Sequence, residues 1–410
     1  MWRLLLSALS LAATQSYSLP PDKLAKAIAY AAARNRLHFI DAGYGIAVLI
    51  ALLALRVAPR YRDWAERASR RRMLQAYIFA PLTLLTVDIL GLPTSIYGHS
   101  LALQYEQSVQ GWGSWFWDWA KGELIAVALT GFLLWLLYGV IRRSPRRWWF
   151  YFWLVSVPIV IFLLFIAPVV IEPLFYRFEP LQPKHPELTA QIAKVVERGG
   201  LSIPSSRMFE MNASEKLNSL NAYVAGLGAS KRVVVWDTTL TRMTTPQILF
   251  VFGHEMGHYV LGHNWMLIGS LCATLLVFLF LGYHAMNWAL ARWGLRWGIR
   301  GMDDWASLAV LLLAFGIFGF LAEPIQNSMS RVIEHNADVY GLEVIHAIVP
   351  DSAQAAAQAF QILGETSLAD PNPSPFIRFW LYDHPPVSER VRFAAEYNPW
   401  AEGRAPKYVK

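Results

Sequence analysis

Five consecutive residues of this 410-residue chain have the types and spacing of a catalytic metal site: His254-Glu255-Met256-Gly257-His258. Two histidines four residues apart lie on one face of a helix, so both imidazoles can bind one Zn²⁺ ion. Glu255 then lies beside the open coordination position, where a water molecule would sit. The metal lowers the pKa of that water, and the carboxylate can take its proton during attack on a carbonyl carbon. The pattern predicts hydrolysis of peptide bonds.

The residues around the motif favour a helix that another backbone can approach closely. Thr244 or Thr245 suits a helix cap, and Pro246 suits the first turn. Gly253 and Gly257 flank the first histidine and leave room for a backbone or a substrate. The alternative interpretation is two incidental histidines on a buried helix.

A catalytic zinc ion needs a third protein ligand, for which Glu334 is the best candidate. Glu334 and Asp338 are one helical turn apart, so both can face the metal helix. Asp338 would then hydrogen-bond a ligand histidine and fix its tautomer. His335 is an alternative ligand, but it points roughly 100° away from Glu334 on the helix. A solvated acidic helix face is the alternative interpretation of this pair.

A rigid turn follows further along the chain, at His384-Pro385-Pro386, and Arg390 lies one helical turn beyond it. Such a turn could present His384 to the oxyanion of a tetrahedral intermediate, with Arg390 adding positive charge. An ordinary loop turn is the alternative.

The composition indicates an integral membrane protein with several spans. Hydrophobic residues make up 55% of the chain, and the mean hydropathy is positive. An ordinary soluble protein is less apolar, and most of the apolar runs approach the ~20 residues that cross a bilayer as a helix. We predict six spans, of which the first is the weakest: 39–55, 73–96, 122–141, 149–171, 265–288 and 305–322.

The formal charge of +7 is concentrated in loops 56–72, 142–147 and 290–300, which argues against nucleic-acid binding. These are alternate loops between predicted spans, as the positive-inside rule produces, and they can also contact anionic lipid. We therefore expect a multi-pass protein of the bacterial inner membrane. Its catalytic residues would lie on the exoplasmic side, opposite the arginine-rich loops.

The chain divides into segments around these spans. Residues 1–18 have the basic start, apolar core and small-residue site of a signal peptide, and an uncleaved first span is the alternative. The other segments are a four-span membrane domain, a first protease segment, two further spans and a second protease segment: 19–172, 173–264, 265–322 and 323–410. In the first protease segment we predict a helix, a strand, a β-hairpin and the metal helix: 188–198, 207–211, 221–236 and 246–263. Cys272 is the only cysteine, so no intramolecular disulfide can form.

Seven ordered motifs resemble the type I CAAX prenyl proteases, which are zinc-dependent membrane proteases of the gluzincin class. The motifs lie at 92–97, 171–178, 221–226, 232–240, 253–263, 334–338 and 384–390. The resemblance extends over nearly the whole chain from about residue 73. It implies a mainly α membrane protein, in which a multi-span helical bundle encloses a chamber. An α+β zinc protease domain with a small β-hairpin or sheet would cap that chamber.

The resemblance also implies the roles of individual residues. One Zn²⁺ would be bound by His254, His258 and Glu334, with Glu255 as general base and acid. His384 and Arg390 would assist the oxyanion or the substrate. His263 also matches the family pattern, but it lies off the face shared by the two ligand histidines, so we interpret it as structural.

A peptide or protein substrate, with or without a lipid group, would be added as a β-strand to the strand at 221–225. Three residues would contact it: Asn221, Ala222 and Tyr223.

The chain departs from the resembling family in its spans. The family commonly has seven, with five before the metal helix, whereas here four spans and a signal-like segment precede it. An exoplasmic site could not meet prenylated cytosolic proteins. The resemblance implies prenylated tails as substrates, and damaged membrane and secreted proteins are the alternative that an exoplasmic site could meet.

A transporter or scaffold with an inactive site is an alternative from a different class. Asp41 and Asp88 are the only clear charged candidates within the spans, and both lie near span ends. An inactive relative would be expected to lose a metal ligand or the base, and all of them are present.

Overall fold

Long helices dominate the computed structural model, which describes residues 17–226 and 231–409. The prediction of six spans is confirmed: six helical segments within the described residues are long and apolar enough to cross a membrane. They are Pro21–Ala54, Arg72–Gln104, Trp112–Arg143, Trp148–Leu174, His263–Trp297 and Trp305–Ile345.

We number the α-helices in chain order. The membrane half contains α1 (Pro21–Ala54), α2 (Val57–Ala68), α3 (Arg72–Gln104), α4 (Trp112–Arg143) and α5 (Trp148–Ile166). The next helices are α6 (Leu181–Lys184), α7 (Pro186–Arg198), α8 (Asp237–Arg242), α9 (Thr245–Val260) and α10 (His263–Trp297). The last are α11 (Leu308–Ile345), α12 (Ser352–Thr366), α13 (Pro375–Leu381) and α14 (Val387–Glu396).

The first span begins well before its apolar run, and part of this N-terminal extension lines a cavity. His38 of α1 lies 3.0 Å from the carboxylate of Glu323 on α11, and Asp41 accepts a hydrogen bond from Thr94 of α3. These polar contacts let the helix continue beyond the apolar residues that make it recognisable in the sequence.

The three arginine-rich loops meet at one end of the bundle. Arg62 pairs with Asp304 at 2.6 Å, and Arg300 pairs with Glu66 at 2.6 Å. Arg142 donates to the backbone oxygen of Asp303. Part of the positive charge is therefore neutralised by acidic residues of the neighbouring loops.

A four-stranded sheet has the order β1-β2-β4-β3, with β1 Phe178–Pro180, β2 Met208–Met211, β3 Ala222–Ala225 and β4 Arg232–Trp236. β2 and β4 are parallel, whereas β3 and β4 pair antiparallel as the predicted hairpin, with Ala222 opposite Val235. Residues 227–230 of its turn lie outside the described residues. β3 is the outer strand, so one of its edges has no strand partner among the residues described.

Helix α9 packs against this sheet and α11 packs on α9, and both contribute to one apolar core. The core includes Ile192 and Val195 of α7, Phe250 and Phe252 of α9, and Val344 of α11. α11 runs unbroken from the last span into this core, so the segment boundary expected between residues 322 and 323 falls inside one helix.

Most of the predicted signal peptide, residues 1–16, lies outside the described residues. Tyr17 and Ser18, at its expected cleavage site, contact α12. The Tyr17 hydroxyl donates to the backbone oxygen of Ala369, and Ser18 exchanges hydrogen bonds with Gln361. Cleavage there stays a prediction.

Candidate metal centre

Helix α9 carries the histidine motif, and local sequence determines where it begins and where it ends. Thr244 is the cap: its backbone N–H donates to the side chain of Gln247 in a capping box, and Pro246 occupies the first turn. At the other end, Gly262 has a φ of 72°, which stops the helix at Val260 and not at residue 263 as predicted.

Glycines let α9 and α11 approach until their backbones nearly touch. A Cβ on Gly341 of α11 would lie 2.9 Å from the backbone nitrogen of His254. A Cβ on Gly253 would lie 2.8 Å from the side chain of Val344. The space that the sequence predicts beside the first histidine is therefore filled by a backbone, that of α11.

This close approach brings together the three residues predicted to bind metal. The Nε2 atoms of His254 and His258 are 3.2 Å apart. Each faces one carboxylate oxygen of Glu334, at 3.2 Å from His254 and 3.5 Å from His258. One donor atom from each residue lies within 4.8 Å of the other two.

These distances fit a tetrahedral zinc site. Zinc binds histidine nitrogen and carboxylate oxygen at about 2.0–2.2 Å, so two ligand atoms of a tetrahedral site lie about 3.3–3.5 Å apart. The donor set of two imidazoles and one carboxylate is also one that catalytic zinc uses, with a fourth position left open.

Asp338 connects the first histidine to Arg390, whose side chain is 12% exposed. Its Oδ1 lies 2.8 Å from Nδ1 of His254, and the guanidinium of Arg390 makes two hydrogen bonds to the carboxylate, at 2.6 and 2.9 Å. Burial lowers the pKa of His254, but the facing carboxylates of Asp338 and Glu334 outweigh it and raise the pKa to about 9. Arg390, predicted to face the oxyanion, is thus engaged by Asp338 while also lining the cavity described below.

His263, interpreted from the sequence as structural, lies beside the second ligand histidine. It is buried, and its Nδ1 lies 3.1 Å from Nδ1 of His258. The helical face of α9 does not predict this contact, because Gly262 reverses the chain before His263 begins α10. The only signal in the sequence is a glycine directly before a histidine, just past the metal motif.

Glu255 and His384 line a cavity of about 900 Å³ next to the three ligands. Burial raises the pKa of Glu255 to about 7. His384 is half exposed; its Nε2 lies 3.1 Å from Glu334, and its Nδ1 lies 2.9 Å from Asp383. His335, the alternative ligand, instead packs its ring against Phe393, so the structure does not bring it to the centre.

The three residues predicted to contact substrate differ in their surroundings. Asn221 lines the cavity, and its side-chain oxygen accepts from the backbone N–H of Ala222. The Ala222 side chain is buried in the core, and the Tyr223 hydroxyl donates to Glu172 at 2.6 Å. The structure therefore places only Asn221 beside the catalytic residues.

Comparison with known protein families gives two matches that together cover most of the chain. Residues 182–398 match peptidase family M48. Residues 6–177 match the family described as CAAX prenyl protease N-terminal, five membrane helices. The described part of that second stretch contains four of the six candidate spans.

Individual relatives agree with these matches. The uncharacterized metalloprotease YhfN of Bacillus subtilis (strain 168) is 35% identical over 92% of this chain and 86% of its own length. The CAAX prenyl protease 1 homolog of Oryza sativa subsp. japonica is 25% identical over 90% of this chain and 86% of its own. The crystal structure of S. mikatae Ste24p has the same fold, with a TM-score of 0.78, 21% identity and coverage of 92% and 89%.

Proposed function

The chain belongs to peptidase family M48 and is a membrane metalloendopeptidase, and on that premise we propose that its metal is Zn²⁺, held by His254, His258 and Glu334. The observation that carries this proposal is the convergence of the three donor groups at tetrahedral spacing, beside the cavity wall that carries Glu255. When bound, the metal would polarise the scissile carbonyl and activate water.

The residues of the chain supply the rest of the reaction. Glu255 takes a proton from the attacking water and later gives it to the leaving amine; burial suits it to both roles by raising its pKa to about 7. Asp338, oriented by Arg390, holds His254 in the tautomer that presents Nε2 to the metal. His384 lies in the second protease segment, where its Nδ1 contacts Asp383. It faces the same site and would donate a hydrogen bond to the developing oxyanion.

We propose that the substrate is an extended peptide that pairs with the outer edge of β3. That edge has no strand partner among the described residues, and Asn221, which directly precedes the strand, lines the same cavity as His254 and Glu255. Pairing through backbone hydrogen bonds would tolerate many side chains. Two substrate classes suit such a site: prenylated tails, as the names of the CAAX prenyl protease relatives suggest, and unfolded segments of membrane proteins.

Cleavage by the purified full-length chain tests the function. An unstructured reporter peptide and a farnesylated CAAX peptide would be incubated with it, with and without a chelator. We expect chelator-sensitive cleavage, and the preferred peptide would identify the substrate class. Glu255→Gln should retain stoichiometric metal and lose cleavage, because the amide cannot take a proton. Absence of bound metal in the wild-type chain would refute the proposal.

A further inference from the structure

Helix α13 of the C-terminal segment presents two large aromatic side chains outward. Phe376 is 55% exposed and Phe379 is 50% exposed, and three residues' spacing puts them on the same face of the helix. Ile377, Trp380 and Leu381 are turned inward and are half buried. Such a short helix with a bare aromatic face is atypical of a surface in contact with water.

The inward face of α13 is fixed to the membrane bundle. The Trp380 ring centroid lies 5.0 Å from that of Phe320 on α11, and the Asn327 side chain of α11 donates to the backbone oxygen of Trp380 at 2.6 Å. Phe376, at the edge of the outward face, also stacks on the ring of Phe39 on α1, with centroids 5.8 Å apart, and more than half of its surface stays exposed. α13 therefore lies alongside two spans and not above them.

The exposed face of α11 shows how deep α13 lies. Its exposed apolar residues share one side of the helix and continue past the predicted span end: Ile317, Leu321, Ile325, Met329 and Val332. From Trp305 to Val332 the helix rises about 40 Å, close to the roughly 40–45 Å of a bilayer with its headgroups. Asn327 lies about 33 Å along this rise from Trp305, near the boundary between hydrocarbon and headgroups, and Phe320 lies about 22 Å along it, nearer the bilayer centre. The C-terminal end of α13 is therefore at that boundary, and its contact with Phe320 reaches deeper.

We propose that α13 lies in the bilayer interface, with Phe376 and Phe379 among the lipids, and that this contact holds the His384 segment in place. The occupant of the aromatic face is the bilayer because the face is continuous with the lipid-facing side of α11. Amphipathic segments with phenylalanines on the apolar side bind interfaces in this way.

A short segment connects α13 to His384, and hydrogen bonds from α11 hold it. α13 ends at Leu381, only three residues before His384. Arg331 of α11 donates to the backbone oxygens of Arg378 and Tyr382, on either side of that end. Lipid contact at Phe379 is thus transmitted to the loop that lines the cavity. This second part of the inference rests on the proposed function of His384.

Spin labelling of the full chain in nanodiscs of phosphatidylcholine and phosphatidylglycerol tests the location. Nitroxides would be attached to Phe379→Cys, to Leu321→Cys as the lipid-facing reference and to Glu402→Cys as the water-facing reference, all in a Cys272→Ala background. We expect the label at residue 379 to resemble that at residue 321, accessible to oxygen and protected from a water-soluble nickel chelate. Accessibility to the chelate would overturn the proposal, and protection from both reagents would overturn it in favour of a covering protein surface.

Kinetics in vesicles of the same lipids test the coupling. We expect Phe379→Ser to have a lower kcat than the wild-type chain and to retain its bound metal. Leu295→Ser, which removes an equally apolar exposed side chain near the end of α10, should retain wild-type kcat. Equal kcat in both variants would refute the coupling. If the wild-type chain cuts no peptide, the proposed function fails, yet the labelling result still decides whether α13 lies in lipid.

Discussion

At the scale of single residues, the contact between His263 and His258 suggests how the second ligand is oriented. A histidine that binds metal through Nε2 carries its proton on Nδ1, and a partner at that atom fixes the tautomer. Nδ1 of His263 lies 3.1 Å away and can accept this proton in a hydrogen bond. His263 would then orient His258 through its Nδ1 atom, as Asp338 orients His254.

We expect His263→Ala to weaken zinc binding by roughly 10–100-fold, the usual effect of removing such a partner. Competition with a chromophoric chelator would measure the affinity. His263→Asn is the matched variant, because its side-chain oxygen can accept the same hydrogen bond, and it should recover most of the affinity. Wild-type affinity in the alanine variant would show that His263 only fills space.

The types of the catalytic residues were predictable because their chemistry depends on spacing within one helix. His254 and His258 share a face of α9, and Glu334 and Asp338 share a face of α11. Contacts that depend on how separate elements meet were not predictable in this way. His263 reaches the site only because Gly262 takes a left-handed conformation.

At the scale of elements, the packing of α9 on α11 sets the spacing of the ligands. We expect Gly341→Ala to destabilise the protein by about 1–3 kcal/mol, because the new Cβ would press on the backbone of His254 and both helices would have to separate. Bound metal should fall as well. Thermal unfolding in detergent and metal analysis would measure the two effects.

Gly319→Ala is the control in the same helix, since a Cβ there meets no atom within 4 Å. It should be neutral or stabilise by up to about 1 kcal/mol through helix propensity. Equal stability of the two variants would mean that the glycine contact does not set the helix spacing.

The end of the chain forms a second contact on α11. The carboxylate of Glu343 is fully buried and accepts hydrogen bonds from one side chain and three backbone N–H groups: Tyr397, Lys407, Tyr408 and Val409. We expect Glu343→Gln to release residues 407–409 from α11, because an amide has one acceptor oxygen in place of two and no charge. Tryptic cleavage after Lys407 should then be faster than in Tyr397→Phe, which loses only one of the four hydrogen bonds. Equal cleavage rates would contradict this role.

Sequence patterns predicted most helices and strands but not how consecutive segments are connected. Apolar runs gave the six spans, and the alternation around the glycine-containing turn gave the β3–β4 hairpin. The join between span and protease domain was missed, because α11 changes its environment without changing its secondary structure. The face of α11 that meets α1 becomes polar at Glu323, which contacts His38. The exposed apolar face of the same helix continues to Val332.

At the scale of the whole molecule, charge and catalysis occupy opposite ends. The three arginine-rich loops contact one another at one end of the bundle, through the Arg62–Asp304 and Arg300–Glu66 pairs. At the other end, the loop after α3 contacts the protease domain, where Ser108 pairs with Leu217. Positive loops are retained in the cytoplasm, so we predict that the catalytic end faces the exoplasmic side.

Labelling of single cysteines in a Cys272→Ala background tests this orientation in a bacterial membrane. Ala68→Cys, at the end of α2, reports on the arginine-rich end, and Asn372→Cys, just before α13, reports on the catalytic end; both positions are exposed. An impermeant maleimide should label residue 372 in spheroplasts and residue 68 only in inverted vesicles, with both labelled in detergent. The inverse pattern would place the cavity in the cytoplasm, where prenylated tails are accessible. The substrate class therefore depends on the same measurement, because a site that faces outward can meet only exported or membrane-embedded chains.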